Sequence, residues 1–262
     1  MVRRRLSGLL AALLVLPAVS AQNAAPLPAE LSRALNRSRS FAARGQAEVT
    51  VLFPPRAVPT RQVGQLPAVP FRPGMIARNF TVSQSTGPAV AGRSTTRYDL
   101  TPRNPQAPRW TLWIDQAWAV PLAFEERSAG GAVARRATFQ KVNAGLARVE
   151  RPVPAVPEGL RAAVMRTLPG LRFPDGFVPV ALERAAPRWQ VTLSDGLNTL
   201  SLVTAPRAVK AAPGVASRQV GGRFVWLTGN LPQEGLSAAL AGIRKIDETA
   251  LGTFLTAGSS SP

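Results

Sequence analysis

Apolar and polar residues alternate through most of this chain, and the period changes at only a few places. Over 26–38, Leu27, Leu31, Ala34 and Leu35 recur at i, i+4, i+7 and i+8, which predicts an amphipathic helix. Ala47, Val49, Val51 and Phe53 then alternate with Gln46, Glu48 and Thr50, a period of two that predicts a strand ending at Pro54-Pro55. From 54 to 74 the prolines at 54, 55, 59, 67, 70 and 73 leave no room for a helix or a central strand. That stretch is predicted to be a long loop or an irregular edge, and loops of this length within a compact domain are usually functional or mobile.

Beyond Ile76 the period stays at two. Strands are predicted at 79–85, 94–100, 109–115, 120–127 and 133–142, separated by turn-rich stretches at 87–92 and 102–108 and by Gly130-Gly131. This spacing is that of an antiparallel meander. Pro152, Pro154 and Pro157 mark a linker at 151–157. The second half is predicted to hold a helix at 158–168 and strands at 177–184, 188–194, 199–204 and 222–228. Asp195-Gly196 serves as a turn between two alternating runs. A helix at 232–247 closes it, with Leu236, Ala239, Leu240 and Ile243 on one face and Pro232 at its first turn. The expected organisation is α+β: an antiparallel-sheet domain at 22–150, the linker, a smaller α+β domain at 158–250, and a disordered tail at 251–262.

The first 21 residues fall outside that scheme. Arg3, Arg4 and Arg5 precede an apolar run from Leu9 to Val19, and Val19-Ser20-Ala21 supplies the small residues of a cleavage site. This is the pattern of a secretory signal peptide. The apolar run is much shorter than the ~20 residues needed to span a bilayer, and no cysteine follows it to take a lipid anchor. An exported, soluble protein is expected, in a bacterium periplasmic or envelope-associated.

The charge adds to this picture. The 262-residue chain has 32 Lys+Arg against 14 Asp+Glu, a net charge of +18, which falls to +15 once Arg3, Arg4 and Arg5 are removed. Nucleic acid is not the expected partner. The arginines are scattered, no aromatic run accompanies them, and an exported protein rarely meets a genome. A basic surface set by genome composition and attraction to anionic lipid headgroups or an acidic partner segment both fit.

With no Cys and no His, thiol catalysis, disulfides, Fe–S clusters, Cys/His zinc sites and imidazole triads are excluded. A Ser-x-x-Lys motif is absent. Asp99, Asp115, Glu125 and Glu126 show no spacing that makes a metal or acid–base set. Gly130-Gly131 and Gly221-Gly222 are turns, since no helix follows either pair. No enzyme, cofactor or metal is expected.

One set of motifs goes further. In the first half stand Asn79-Phe80, Val90-Ala91-Gly92-Arg93, Tyr98-Asp99-Leu100-Thr101-Pro102-Arg103, Arg109 to Asp115, Pro121-Leu122 and Phe139. In the second half stand Leu168-Pro169-Gly170, Pro174-Asp175-Gly176-Phe177, Ser194-Asp195-Gly196-Leu197 with Leu200-Ser201-Leu202, and Thr228 to Pro232. In order and spacing, over roughly 76–246, this series resembles the MucB/RseB family of sigma-E regulatory proteins. A glycine of that family's turn before Pro121-Leu122 is missing here, where the chain reads Gln116-Ala117-Trp118-Ala119-Val120.

The resemblance implies a LolA/LolB-like first domain: a curved antiparallel sheet, a half-barrel wrapped around helices, with an apolar concave face able to hold acyl chains. It implies a non-enzymatic regulator that binds the extracytoplasmic segment of a membrane-spanning anti-sigma factor, shields it from proteolysis, and is released by lipid or lipoprotein. Candidate cavity-lining residues are Phe80, Val82, Tyr98, Leu100, Trp110, Leu112, Ile114, Leu122, Phe124 and Phe139. The alternation that selects them fits an ordinary core equally well. Trp113 and Trp118 fall off that face. A periplasmic lipid or lipoprotein carrier of LolA type is the alternative, and a structural envelope protein a third. A simple carrier of that type has no second domain.

Overall fold

A computed structural model describes residues 26–185, 188–208 and 212–255. The expected signal peptide, 1–21, and the end of the expected tail, 256–262, lie outside the described residues. Two antiparallel sheets carry the fold. The first follows the order β2-β1-β7-β6-β5-β4-β3. Its strands are β1 (Phe41–Val51), β2 (Thr60–Val63), β3 (Phe80–Thr86), β4 (Thr95–Pro102), β5 (Arg109–Asp115), β6 (Pro121–Arg127) and β7 (Val133–Arg148). The meander of β3 to β7 matches the predicted spacing. β1 then pairs with β7 along most of its length.

That pairing bends. Register shifts flank Gly45 and Gln46, and a Cβ on Gly45 would sit 2.0 Å from the Lys141 carbonyl oxygen. Only glycine admits the backbone that close, and such bulges curve a sheet. The inner face of the sheet is covered by α1 (Ala29–Arg37) and α2 (Pro73–Asn79). Leu31, Leu35 and Ile76 from these helices are fully buried against it.

The second sheet runs β11-β12-β10-β9-β8, from β8 (Val178–Ala185), β9 (Arg188–Ser194), β10 (Thr199–Ala205), β11 (Val215–Val220) and β12 (Arg223–Thr228). It packs on α3 (Leu160–Thr167) and α4 (Gln233–Leu240) around a separate apolar core. Each core borrows one residue from the other half. Leu197, at the β9–β10 turn, belongs to the first core, and Ala107, between β4 and β5, to the second.

Four local expectations need correction. The Pro-rich stretch 54–74 takes the irregular-edge form, with the short strand β2 paired with β1, but against expectation a helix, α2, begins inside it at Pro73. β11 was not predicted, because Ser217, Arg218 and Gln219 break its apolar pattern. It forms because Gly221-Gly222 turns the chain and lets it pair with β12. The last helix stops at Leu240 instead of reaching 247, since Gly242 lies against Gly170, where a Cβ would meet the Gly170 carbonyl oxygen at 2.3 Å. Residues 251–255 are not loose: Leu251 is fully buried in the second core, and Gly252–Leu255 forms a helical turn.

Candidate functional site

The strand register puts the ten candidate lining residues on one face of the first sheet. Val82 stands opposite Leu100, Leu100 opposite Trp110, Tyr98 opposite Leu112, and Leu112 opposite Phe124. Phe80, Tyr98, Leu100, Trp110, Leu112, Ile114, Leu122, Phe124 and Phe139 are all buried in one cluster, and Val82 is half-buried beside it. The Trp110 and Phe124 rings meet at 5.7 Å. The Tyr98 hydroxyl donates to Glu30 of α1 at 3.3 Å, and burial, followed by the Glu30 charge, pushes its pKa up to about 12. Trp113 lies on the opposite face under Arg97, and Trp118 lies in the following turn with Arg93 stacked 3.5 Å over its ring.

Of the ten, only Phe124 and Phe139 reach an open cleft of about 330 Å³ at the end of this face. The cleft lies between α1, the start of β6 and the residues after β7. Its outer wall is the Pro-rich segment, through Leu66, Val69 and Phe71. Sequence reasoning missed this wall. The one available signal was the presence of large apolar residues inside a proline run. The volume is at the lower end of the ~300–1,000 Å³ found for ligand pockets.

Two arginines line the same cleft. Arg39 donates to the Phe71 carbonyl and Arg151 to the Leu66 carbonyl, each at 3.3 Å, so both help hold the wall in place. The Arg39 Nε–H is buried without a partner. Burial, and then the neighbouring Arg44, hold the Arg151 guanidinium below its ordinary pKa. Burial, and then Arg39, do the same for Arg72. Glu150 lines the same cleft but pairs with neither arginine, so the rim holds two cations to one carboxylate with no ion pair between them among the described residues. The result is an apolar floor with cationic donors at the edge, a fit for an anionic amphiphile.

A second cleft of about 290 Å³ opens between the two sheets, with Arg56, Arg61, Arg135 and Arg136 against the single carboxylate Glu126. Glu126 is already bound by Arg135 and by Asn230, whose amide donates at 2.7 Å.

Beside this cleft, the β9–β10 turn plugs into the first sheet. Asp195 is nearly fully buried. It accepts the backbone N–H of Leu197 at 3.0 Å and of Asn198 at 2.8 Å, and the Asn198 amide at 2.7 Å. Burial raises the Asp195 pKa despite these bonds. The Asn198 amide also donates to the Pro108 carbonyl at 3.1 Å, and its oxygen accepts the Trp110 indole N–H at 2.8 Å. Asn79 donates to the Asp195 carbonyl at 2.7 Å. Gly196, with φ of +117°, lies so close to α2 that a Cβ would sit 2.8 Å from the Ile76 nitrogen. The Asp195-Gly196 turn is thus also the joint that fixes one sheet against the other. Nothing in the local pattern marks it as such.

Among the described residues, no three carboxylates converge on one point, and no helix is long and apolar enough to cross a membrane.

No family model matches the sequence, and neither does any curated protein. Solved structures do match. The crystal structure of MucB is 19% identical, with a TM-score of 0.56 over 84% of this chain and 100% of that one. The complex structure of Pseudomonas aeruginosa MucA/MucB is 17% identical, with a TM-score of 0.57 over 83% of this chain and 98% of that one. The crystal structure of MucB in complex with MucA(peri) is 18% identical, with a TM-score of 0.56 over 83% of this chain and 97% of that one. The chain therefore has a MucB-like α+β fold with two open sheets, as its motifs implied.

Proposed function

We propose that this chain is an exported, non-enzymatic regulatory binding protein that engages the extracytoplasmic segment of a membrane-spanning anti-sigma factor. One observation carries the reading: the likeness to MucB covers 84% of this chain, more than either sheet alone accounts for, and all of that protein's solved chain. Two of the similar structures are complexes of MucB with MucA. In this reading 22–150 and 158–250 act as two domains joined at 151–157, and the signal peptide at 1–21 delivers the chain to the periplasm.

The same reading assigns lipid sensing to the first cleft. An acyl chain would enter between Leu66, Val69 and Phe71 and end against Phe124 and Phe139, with its acidic headgroup on Arg39 and Arg151. The other eight candidate residues are packed core in this conformation, so a longer chain needs α1 or the Pro-rich wall to move outward. Ligand entry and movement of the wall would then be one event, and that coupling suits a sensor.

The carrier alternative uses the same cleft but leaves the second sheet and its buried joint without a role. Crosslinking the mature protein in intact envelopes, followed by mass spectrometry of proteins and lipids, separates the two. A single-span membrane protein with a cytoplasmic sigma-binding region is the expected catch. Lipid or lipoprotein without such a partner would favour the carrier, and recovery of neither would overturn both.

A further inference from the structure

The loop between β1 and β2 has a composition that the binding reading does not use. Residues 54–62 are exposed without interruption. Val58 is 73% exposed and Leu52 48%; these are two of four exposed large hydrophobics among the described residues, and the other two, Val156 and Met165, lie far along the chain. Arg56 and Arg61 flank Val58 and are both exposed, with no ion pair among the described residues. The surrounding sequence is one-sided: from Val49 to Tyr98 there are six arginines and no Asp or Glu. Two carboxylates lie near: Glu48, opposite Gln62 on the β1–β2 ladder, and Glu126 in the second cleft, the latter already bound by Arg135 and Asn230.

The loop is also held in shape. Pro54, Pro55 and Pro59 fix φ at three of its positions, so little conformational freedom is left to lose on docking. Its base is tied at both ends. Val51 N–H donates to the Pro59 carbonyl at 2.8 Å, and Leu52 and Phe53 N–H both donate to the Ala134 carbonyl, at 2.8 and 2.9 Å. The Phe53 ring rests on Gly214 of the second half, where a Cβ would lie 2.1 Å from it. The base thus stands on both sheets, Arg56 and Arg61 lie at the mouth of the second cleft, and Val58 at the tip is exposed.

We propose that this loop docks the protein on an anionic bilayer surface, with Val58 and Leu52 entering the headgroup boundary and Arg56 and Arg61 meeting lipid phosphates. A rigid, exposed apolar tip with basic flanks suits a flat, negatively charged partner. An acidic peptide would instead need a long free edge or the second cleft; β2 offers only four residues, and the cleft already holds the carboxylate Glu126, bound by Arg135 and Asn230. The inference goes beyond the regulatory reading and does not depend on it.

Flotation of the mature chain with phosphatidylethanolamine–phosphatidylglycerol vesicles, and with phosphatidylethanolamine–phosphatidylcholine vesicles, tests this. Lipid taken up into the first cleft leaves the protein in the soluble fraction, so flotation reads docking alone. The expected result is binding to the anionic vesicles only, weakening as salt rises. Each basic residue near such a surface is worth about fivefold in affinity, so Arg56→Glu with Arg61→Glu should lower binding by at least about 25-fold. Val58→Asp should lower it by about tenfold. All three sites are exposed, so the melting temperature should not move. In Val58→Trp, brominated lipid should quench emission that is unquenched in the parent protein. Equal binding to both vesicle types, unchanged binding of the charge-reversed or Val58→Asp protein, no quenching of Val58→Trp, or loop-dependent capture of an acidic peptide in place of vesicles would each overturn the proposal.

Discussion

Asn198 offers the sharpest test of how the two sheets are joined. Its amide donates to Asp195 and to the Pro108 carbonyl, and its oxygen accepts the Trp110 indole N–H, all in a region closed to water. Asn198→Ala takes a partner from the indole N–H, one Asp195 oxygen and the Pro108 carbonyl. A buried group left unpaired costs about 1–3 kcal/mol, more where it is charged. Together the three losses predict a destabilisation of about 3–5 kcal/mol. For a chain of this size each kcal/mol moves the midpoint by about 2–4 °C, so a fall on the order of 10 °C is expected. Urea unfolding followed by tryptophan emission is the assay, since Trp110 is itself a partner. Asn198→Asp is the control. It keeps an acceptor for the indole but sets a second carboxylate against Asp195. Two buried carboxylates in contact share a proton, which raises their folded-state titration above the unfolded value. Stability of the Asp variant should therefore be low at neutral pH and recover on acidification by more than that of the Ala variant, which keeps only the smaller recovery due to Asp195 itself. A loss below about 1 kcal/mol for Asn198→Ala, or an Asp variant that tracks the Ala variant at every pH, would refute the account of the joint.

Three further outcomes follow from the same geometry. Because burial raises the Asp195 pKa, the folded state holds that proton more tightly than the unfolded state, so stability should fall as pH rises from the ordinary carboxylate range through the raised value; Asp195→Asn should flatten that part of a urea-midpoint profile. Ala119 occupies the turn that lacks the family's glycine and sits at φ +51°. Left-handed backbone costs a non-glycine residue about 1–2 kcal/mol, partly offset by the freedom glycine gains when unfolded, so Ala119→Gly should stabilise by about 0.5–1 kcal/mol in thermal or urea melts. Arg39→Gln and Arg151→Gln should each weaken binding of a fluorescent fatty acid by about tenfold, the worth of one charge-assisted hydrogen bond, and leave the matching fatty alcohol unaffected; equal losses for both probes would place the arginines in the wall only.

What the sequence disclosed, and what it hid, divides along one physical line. Strands β3 to β7 were legible because a period of two fixes which side of a strand is buried, and a meander makes each strand's partner its neighbour in sequence. The ten candidate residues were legible as one face for the same reason. Their division into packed core and open cleft was not, since it turns on where Leu66, Val69 and Phe71 cross the end of the sheet, and prolines erase the periodicity that would place them. Likewise Gly196 carries the signal of a turn, but the approach of Ile76 that forbids any larger residue comes from 120 positions earlier. Gly242 ends a helix early only because Gly170 lies against it. In each case the missed feature is a contact between segments distant in sequence, made where local pattern is silent. Such segments belong to neither sheet's repeating ladder, so they can shift without dismantling either one. A ligand that had to be admitted and sensed would have to act there: on the Pro-rich wall, the rim arginines and the joint at Asn198.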